Sequence, residues 1–212
     1  MPPSLTTLFT LASVHSNCIM KSEFINKFQD WWRQAKSDQS LKHKGAACVS
    51  TIDEFGFPNA RFVDLKAATE DGFTFCTFFD SRKGIEIERC PKVALTIWWE
   101  GVSCQVRVQG TAARISRSMA GKYWQSRTRD AQLSTLCSRQ SQPLASDQQL
   151  LDQFSALRAS FGEAEIPLPD NWGGYTIDPV SVEFLTFKED RLHVREQYVL
   201  VEGQWNRQLL QP

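Results

Sequence analysis

The stretch AACVSTIDEFGFPNARFVDLKAATEDGFTFCTFF, residues 46–79, decides the fold. Residues 46–52 read as a strand, and Asp53-Glu54-Phe55-Gly56-Phe57-Pro58 supplies a hairpin turn. Residues 59–66 return as a second strand, Glu70-Asp71-Gly72 turns again, and residues 73–79 make a third. Short β-rich runs separated by glycine, aspartate and proline turns point to an antiparallel sheet or barrel. Working outward, Ser81-Arg82-Lys83-Gly84 opens a short helix that reaches Arg89 and stops before Pro91. Residues 93–99 and 103–115 then form another hairpin around Gly101.

Upstream, the period is helical. Phe24, Ile25, Phe28, Trp31, Trp32 and Ala35 recur at three- and four-residue spacing behind Ser22, an expected N-cap. That aromatic face must bury against a sheet. Residues 5–14 are mildly apolar, too short to span a bilayer and without a basic start, so residues 1–21 are expected to be a poorly ordered segment. Met20-Lys21-Ser22 leads straight into the helix and is a second expected start of the natural chain, which intact mass would test. Downstream, residues 117–126, 130–138 and 147–160 read as helices, the last capped by Ser146. Pro167 and Pro169 end the helical region. Strands follow at 175–177, 181–187 and 191–201, and residues 204–210 close the chain after a turn at Gly203. No repeat or linker divides residues 22–212, so one domain is expected, mainly β with flanking α-helices.

Composition narrows the function. The 212 residues are 42% hydrophobic and 23% charged, enough for a real core. Lysine plus arginine and aspartate plus glutamate both number 24, so the formal net charge is zero. Without a basic excess, local cationic clusters read as sites for a small anion and not for nucleic acid. The six cysteines show no metal spacing and only three histidines accompany them, which predicts reduced, buried thiols in a cytoplasmic protein and no metal site.

Five polar clusters carry the chemistry. In Arg61-Phe62-Val63-Asp64-Leu65-Lys66, regular alternation would put Arg61 and Lys66 on opposite faces unless the strand bends. Ser81-Arg82-Lys83-Gly84 places two cations and a hydroxyl at a helix start, an anion site or a solvated turn. Tyr123 and Arg127 share a helix face, able to hold a ring and a phosphate or simply to pack. Ser138-Arg139-Gln140-Ser141 is rich in hydrogen-bond donors. In Arg191-Leu192-His193-Val194-Arg195, a strand would align both guanidiniums and the imidazole in one row, with Leu192 and Val194 facing a core. The row suits an anionic ligand, or it is a solvated face paired with Glu189 and Asp190. No nucleophile elbow, phosphate-loop signature or dinucleotide glycine pattern occurs, so a bound cofactor is expected to carry the reaction.

These clusters, in order from about Phe24 to Pro212, resemble the pyridoxamine 5'-phosphate oxidase family. The match includes Arg61-x-x-x-Leu65-Lys66, Ser81-Arg82-Lys83, Gln105-Val106, Tyr123 through Asp130, Gln140-Ser141 and Pro167-Leu168-Pro169 with Trp172-Gly173-Gly174. Arg191-Leu192-His193-x-Arg195 and the terminal Leu-Gln-Pro complete it. The resemblance implies an FMN-binding split β-barrel, a homodimer with the flavin at the interface, and no partnership with nucleic acid or membrane. It implies an oxidase that converts pyridoxine or pyridoxamine 5'-phosphate to pyridoxal 5'-phosphate in vitamin B6 metabolism, passing electrons to molecular oxygen to give hydrogen peroxide. By position, Arg61, Phe62, Val63, Lys66, Cys76, Thr77, Arg82, Lys83, Gln105, Gln140, Ser141 and Arg195 would meet FMN. Lys66, Tyr123 and Arg127 would hold the substrate phosphate, with Arg191 and His193 catalytic, flanking its ring.

Four departures stand against the family pattern. Leu185 follows Glu183-Phe184 where a tryptophan is usual, Ala131 replaces a serine, Asp64 replaces an aliphatic residue, and a basic, tyrosine-containing N-terminal segment is missing. The alternatives are a related FMN-dependent oxidase on another substrate, as in phenazine biosynthesis, or a flavin-binding protein with little turnover.

Overall fold

The computed structural model describes the backbone of residues 5–212 and the side chains from Asn17 onward. One helix, α1 (Leu5–Ser37), precedes the sheet, and Ser22 lies inside it. The expected start at Ser22 is therefore not observed: its hydroxyl donates to the Glu70 carboxylate and does not cap the helix. Of the segment expected to be poorly ordered, residues 1–4 fall outside the described residues. The aromatic face behaves as its spacing requires. Phe24, Ile25, Phe28, Trp32 and Ala35 are buried, and the Phe28 ring lies 5.0 Å from Phe73 and 5.5 Å from Trp99. Both indoles beside it, Trp32 and Trp99, donate to the Lys44 carbonyl, at 2.9 and 3.2 Å, so neither buried N–H is left unpaired.

The period change at Ala46 marks a barrel. Its strands are β1 (Ala46–Ile52), β2 (Pro58–Thr69), β3 (Gly72–Phe78), β4 (Lys92–Trp99), β5 (Cys104–Arg114) and β6 (Trp172–Thr186), with α2 (Arg82–Arg89) between β3 and β4. The order β3-β2-β1-β4-β5-β6 closes on itself because the first half of β6 pairs with β3, from Phe73↔Ile177 to Phe78↔Trp172. All pairings are antiparallel. The second half of β6 runs on to pair with β7 (Val194–Val201), which pairs with β8 (Gln204–Leu210).

Two strands expected at 175–177 and 181–187 are thus one. Pro179 does not break it, because the register against β5 shifts between Gln109 and Gly110, and a bulge is where a strand tolerates proline. The reverse correction applies to residues 191–193. Arg191 has φ of +62° and lies outside the strand, which begins only at Val194. The chain turns at residues 189–190: the Arg191 N–H donates to the Lys188 carbonyl, and the Asp190 carboxylate accepts from the Leu192 N–H at 2.9 Å. Leu192 and Val194 are exposed, so they face no core.

A second core holds the helical region. Helices α3 (Arg117–Gln125), α4 (Arg129–Cys137) and α5 (Asp147–Phe161) fall where the sequence predicts them, capped by Ser116, Thr128 and Ser146. Trp124, Leu133, Ile166 and Trp172 pack together with Phe78 and Ala120 against the barrel wall. Trp124 Nε1 donates to the Ile166 carbonyl at 2.9 Å. All six cysteines are free thiols, but only Cys104 is buried, which corrects the expectation of generally buried thiols. Among the described residues, no helix is long and apolar enough to cross a membrane.

Phe28 joins α1 to both β3 and β4, so Phe28→Ala should open a cavity the aromatic neighbours cannot fill. The expected loss is about 3–5 kcal/mol in denaturant unfolding. A loss under about 1 kcal/mol would mean that α1 contributes little to the barrel's stability.

Candidate functional site

The first cluster grows from the end of β3. Ser81 caps α2, its hydroxyl accepting from the Gly84 N–H at 3.3 Å. Gly84 is required there, since a Cβ would overlap the Phe78 and Phe79 carbonyls beneath it. The first turn of α2 therefore lies directly on the strand end, and Lys83 is pulled inside. Lys83 is buried, with Nζ donating to Gln140 Oε1 at 2.9 Å and Thr77 Oγ1 at 3.1 Å. Ser141 Oγ accepts from the Arg82 N–H at 3.2 Å. Five predicted residues, Thr77, Arg82, Lys83, Gln140 and Ser141, thus meet at one place, joined from β3, α2 and the connection between α4 and α5. Burial, then the nearby Arg61 charge, lowers Lys83 to about 8.

Arg61 joins this cluster through a residue the sequence reading did not select. Glu86 accepts from Arg61 at 2.9 Å and from Arg82 Nε at 3.0 Å, and it also bonds Thr51 and Asn59. Asp53 adds an ion pair to Arg82 at 3.5 Å. Arg61, Arg82 and Lys83 against Glu86 and Asp53 leave one net positive charge. The i, i+4 spacing of Arg82 and Glu86 is the local signal by which that pair could have been found; the link to Arg61 crosses from β2 and leaves none.

The second cluster lies on the other face of the same wall. Arg61 turns toward α2, whereas Lys66 Nζ pairs with Asp64 at 2.6 Å, so the two cations do sit on opposite faces. A bulge at Lys66, between Leu65↔Phe75 and Ala67↔Thr74, bends β2 without reuniting them. The charges of Lys66, Arg127 and Asp64 all act on the Cys76 thiol, which in turn lies close enough to Tyr123 for the two to influence each other's ionisation. Lys66, Cys76, Tyr123 and Arg127 therefore form one neighbourhood. Burial pushes Cys76 up to about 11, raises Tyr123 and lowers Arg127. Arg127 donates to the Ala131 carbonyl at 2.9 Å and to Thr135 at 2.8 Å, but its Nε is buried without a partner. A buried guanidinium N–H left open is a place for a ligand oxygen.

The third cluster is on the C-terminal strands. Gln105 pairs with Leu185 and Leu185 with Arg195, so all three stand side by side on one face. Arg195 is held by Glu183 at 2.8 Å, which Arg107 also approaches at 3.5 Å. Glu183 was missed, because its partner lies one strand away and no local spacing announces it. Phe62 is exposed, whereas Val63 packs on the main core, so the two point apart. Arg191 and His193 do not join Arg195 in a strand row. His193 Nδ1 accepts from the Lys188 N–H at 3.1 Å, and its ring stands 4.9 Å from Phe187, which meets Trp98 edge-on at 4.6 Å.

Glu86 gives the first cluster a pH signature. Burial raises its carboxyl, but hydrogen bonds from Thr51, Arg61 and Arg82 outweigh that and hold it below its usual range. The stability this provides is present above the usual glutamate range and is lost as pH falls through the lowered value. Denaturant midpoints should fall between about pH 5 and about pH 3, and Glu86→Gln should flatten that slope while costing about 2–4 kcal/mol near neutrality. An unchanged slope in the variant would mean that the acid sensitivity arises elsewhere.

Comparison with known proteins places these clusters in context. Residues 34–161 match the family described as pyridoxamine 5'-phosphate oxidase, and residues 172–212 match the pyridoxine 5'-phosphate oxidase C-terminal dimerisation region. A pyridoxine/pyridoxamine 5'-phosphate oxidase 2 of Hydrogenovibrio crunogenus is 39% identical over 88% of this chain and 87% of its own. A pyridoxine/pyridoxamine 5'-phosphate oxidase of Shewanella frigidimarina is 39% identical over 87% of each. Among solved structures, PhzG from Burkholderia lata, in complex with tetrahydrophenazine-1-carboxylic acid, superposes with a TM-score of 0.83 at 26% identity, covering 89% of this chain and 92% of that one. A pyridoxamine 5'-phosphate oxidase-related, FMN-binding protein from Nostoc punctiforme shares the fold, at TM-score 0.67 and 18% identity over 100% of this chain and 99% of its own. The chain belongs to the pyridoxamine 5'-phosphate oxidase family of flavin-dependent oxidoreductases.

Proposed function

We propose that the protein is an FMN-dependent oxidase that converts pyridoxine or pyridoxamine 5'-phosphate to pyridoxal 5'-phosphate, with oxygen reduced to hydrogen peroxide. The observation that carries this reading is Lys83. It is a buried ammonium whose hydrogen-bond partners are neutral oxygens, set beside the Arg82 guanidinium at a helix start. Burying a cation without a paired anion is costly, so this cradle fits the phosphate of a flavin mononucleotide. Arg61, Arg82, Lys83 and Ser141 would hold that phosphate. Thr77 and Gln140, the Cys76 backbone, and Phe62, Val63 and Lys66 on β2 would line the rest of the flavin, completed by Gln105 and Arg195.

When bound, the flavin supplies the two-electron chemistry, taking a hydride from the substrate and returning the electrons to oxygen. The chain's own residues bind and orient. Lys66, Tyr123 and Arg127 would receive the substrate's anionic group, the open Arg127 Nε included. Arg191 and His193 would flank the ring; His193 Nδ1 already accepts a backbone bond, so Nε2 is the nitrogen facing outward to hydrogen-bond.

A homodimer belongs to this reading, supported by the matched dimerisation region and by Phe62 and Trp98, apolar and exposed on the outer barrel face. Residues 22–212 act in it as one domain, because β6, from the second matched region, completes a barrel begun in the first. The cytoplasm is the proposed location, supported by six unpaired cysteines. A second reading keeps FMN and changes the substrate. Leu185 between Gln105 and Arg195, Ala131 beside Arg127, and the similarity to PhzG favour it.

Purified protein supplied with FMN should be yellow and should release peroxide with pyridoxamine 5'-phosphate. A protein that takes up FMN but turns over only another ring compound would select the second reading. Arg82→Ala should weaken FMN binding about tenfold or more, whereas Arg191→Ala should spare it and lower turnover. Because a bound anion raises Lys83 from about 8, FMN affinity should decline as pH rises above that value. Lys83→Met should abolish that decline, and an identical pH profile in the variant would remove Lys83 from the site.

A further inference from the structure

Asp64 stands beside the cations assigned above to the substrate's anion, whose neighbourhood is here called the pocket. Its carboxylate pairs with Lys66 Nζ at 2.6 Å, the lysine side chain being 25% exposed and the aspartate 68%. The same carboxylate acts through space on Arg127 and on Cys76, so it faces the whole neighbourhood and not Lys66 alone. Two cations against one carboxylate leave the pocket with a single positive charge. At position 131 the pocket wall presents a methyl group and a carbonyl that already accepts from Arg127, and no side-chain donor.

We propose that Asp64 sets the charge of this pocket, selecting a ring compound that bears a singly charged anion such as a carboxylate over one that bears a phosphate dianion. The inference rests on the reading of Lys66, Tyr123 and Arg127 as the substrate-anion site, and it favours the second reading above, FMN with another substrate, over the vitamin phosphates. A phosphate monoester carries between about −1.5 and −2 near neutrality. It must displace Asp64 from Lys66 and then remain beside the displaced carboxylate. A carboxylate brings one charge to one net charge, and its two oxygens need fewer donors than a phosphate's three. Arg127 Nε, buried and open, and Lys66 supply two.

The test is calorimetric titration of the FMN-loaded protein near pH 7.5 with two probes, benzoate and phenyl phosphate. The wild type should bind benzoate at least as tightly as phenyl phosphate. Asp64→Asn, a change at an exposed side chain, should tighten phenyl phosphate about tenfold and benzoate by less than about threefold. A ratio of affinities that moves by less than about threefold between wild type and variant overturns the proposal. So does a wild type that already prefers phenyl phosphate, or one that binds neither probe. Asp64→Ser, which also removes the charge, must reproduce the shift; if only the asparagine variant shows it, the effect is not one of charge and the proposal fails. FMN uptake is read separately from flavin absorbance. A yellow protein with an unmoved ratio overturns the role of Asp64 and leaves the flavin reading standing, whereas failure to take up FMN overturns the flavin reading, and the same titration of the flavin-free protein then decides the role of Asp64 by the ratio.

Discussion

The pairing of β3 with the first half of β6 is the constraint on which the rest depends. It joins residues about a hundred positions apart in the chain and turns an open sheet into a barrel, leaving β3 with no free edge. It also fixes where the functional side chains stand. Thr77 and Cys76 occupy alternate faces of β3, so one strand feeds the cluster around Lys83 and the cluster around Arg127 at once. The helical region is tied to the same seam through Trp172, which opens β6 and packs on Trp124 with ring centroids 5.1 Å apart.

Charge is distributed across this frame by a simple rule. The clustered cations are held by oxygens whose own partners are fixed: Arg61 and the exposed Arg82 by Glu86, Arg195 by Glu183, Arg127 by Thr135 and a carbonyl. Each carboxylate orients one or two guanidiniums in advance, which reduces the ordering that ligand binding must do. Lys83 and Arg127 are the exceptions, since their partners are neutral, and they are the groups with most to gain from an arriving anion.

The fold was legible at most of its local signals. Ser146 caps α5 as read, because a hydroxyl at that position satisfies an open N–H whatever lies around it, although Ser22, read by the same signal, lies inside α1. The hairpin turns read correctly for the same reason. Long-range geometry was not legible. Residues 178–180 fell between two expected strands because the bulge that accommodates Pro179 is made with another strand, β5. Residues 191–193 looked like a strand because alternation was visible, while the Asp190 bond that ties them into a turn competes with it over only two residues. The site residues that meet through hydrogen bonds, Lys83 with Gln140 above all, were found by resemblance in order along the chain; their separation of 57 positions leaves no local pattern to read.

The unbroken length of β6 has a consequence for how many subunits one site needs. Gly174 lies opposite Cys76, the neighbour along β3 of Thr77 in the Lys83 cluster, and Leu185 lies between Gln105 and Arg195. Eleven steps along a strand separate them, roughly 30–35 Å even allowing for the bulge. A single mononucleotide does not bridge that span, and a hydrogen-bonded strand does not fold back to shorten it. On the proposed function, each chain would carry two half-sites at opposite ends of one strand, and its flavin would be finished by the far end of another copy. In such an arrangement assembly and cofactor retention become a single equilibrium, so that dilution would empty the sites by separating the subunits before any one contact to the flavin had failed.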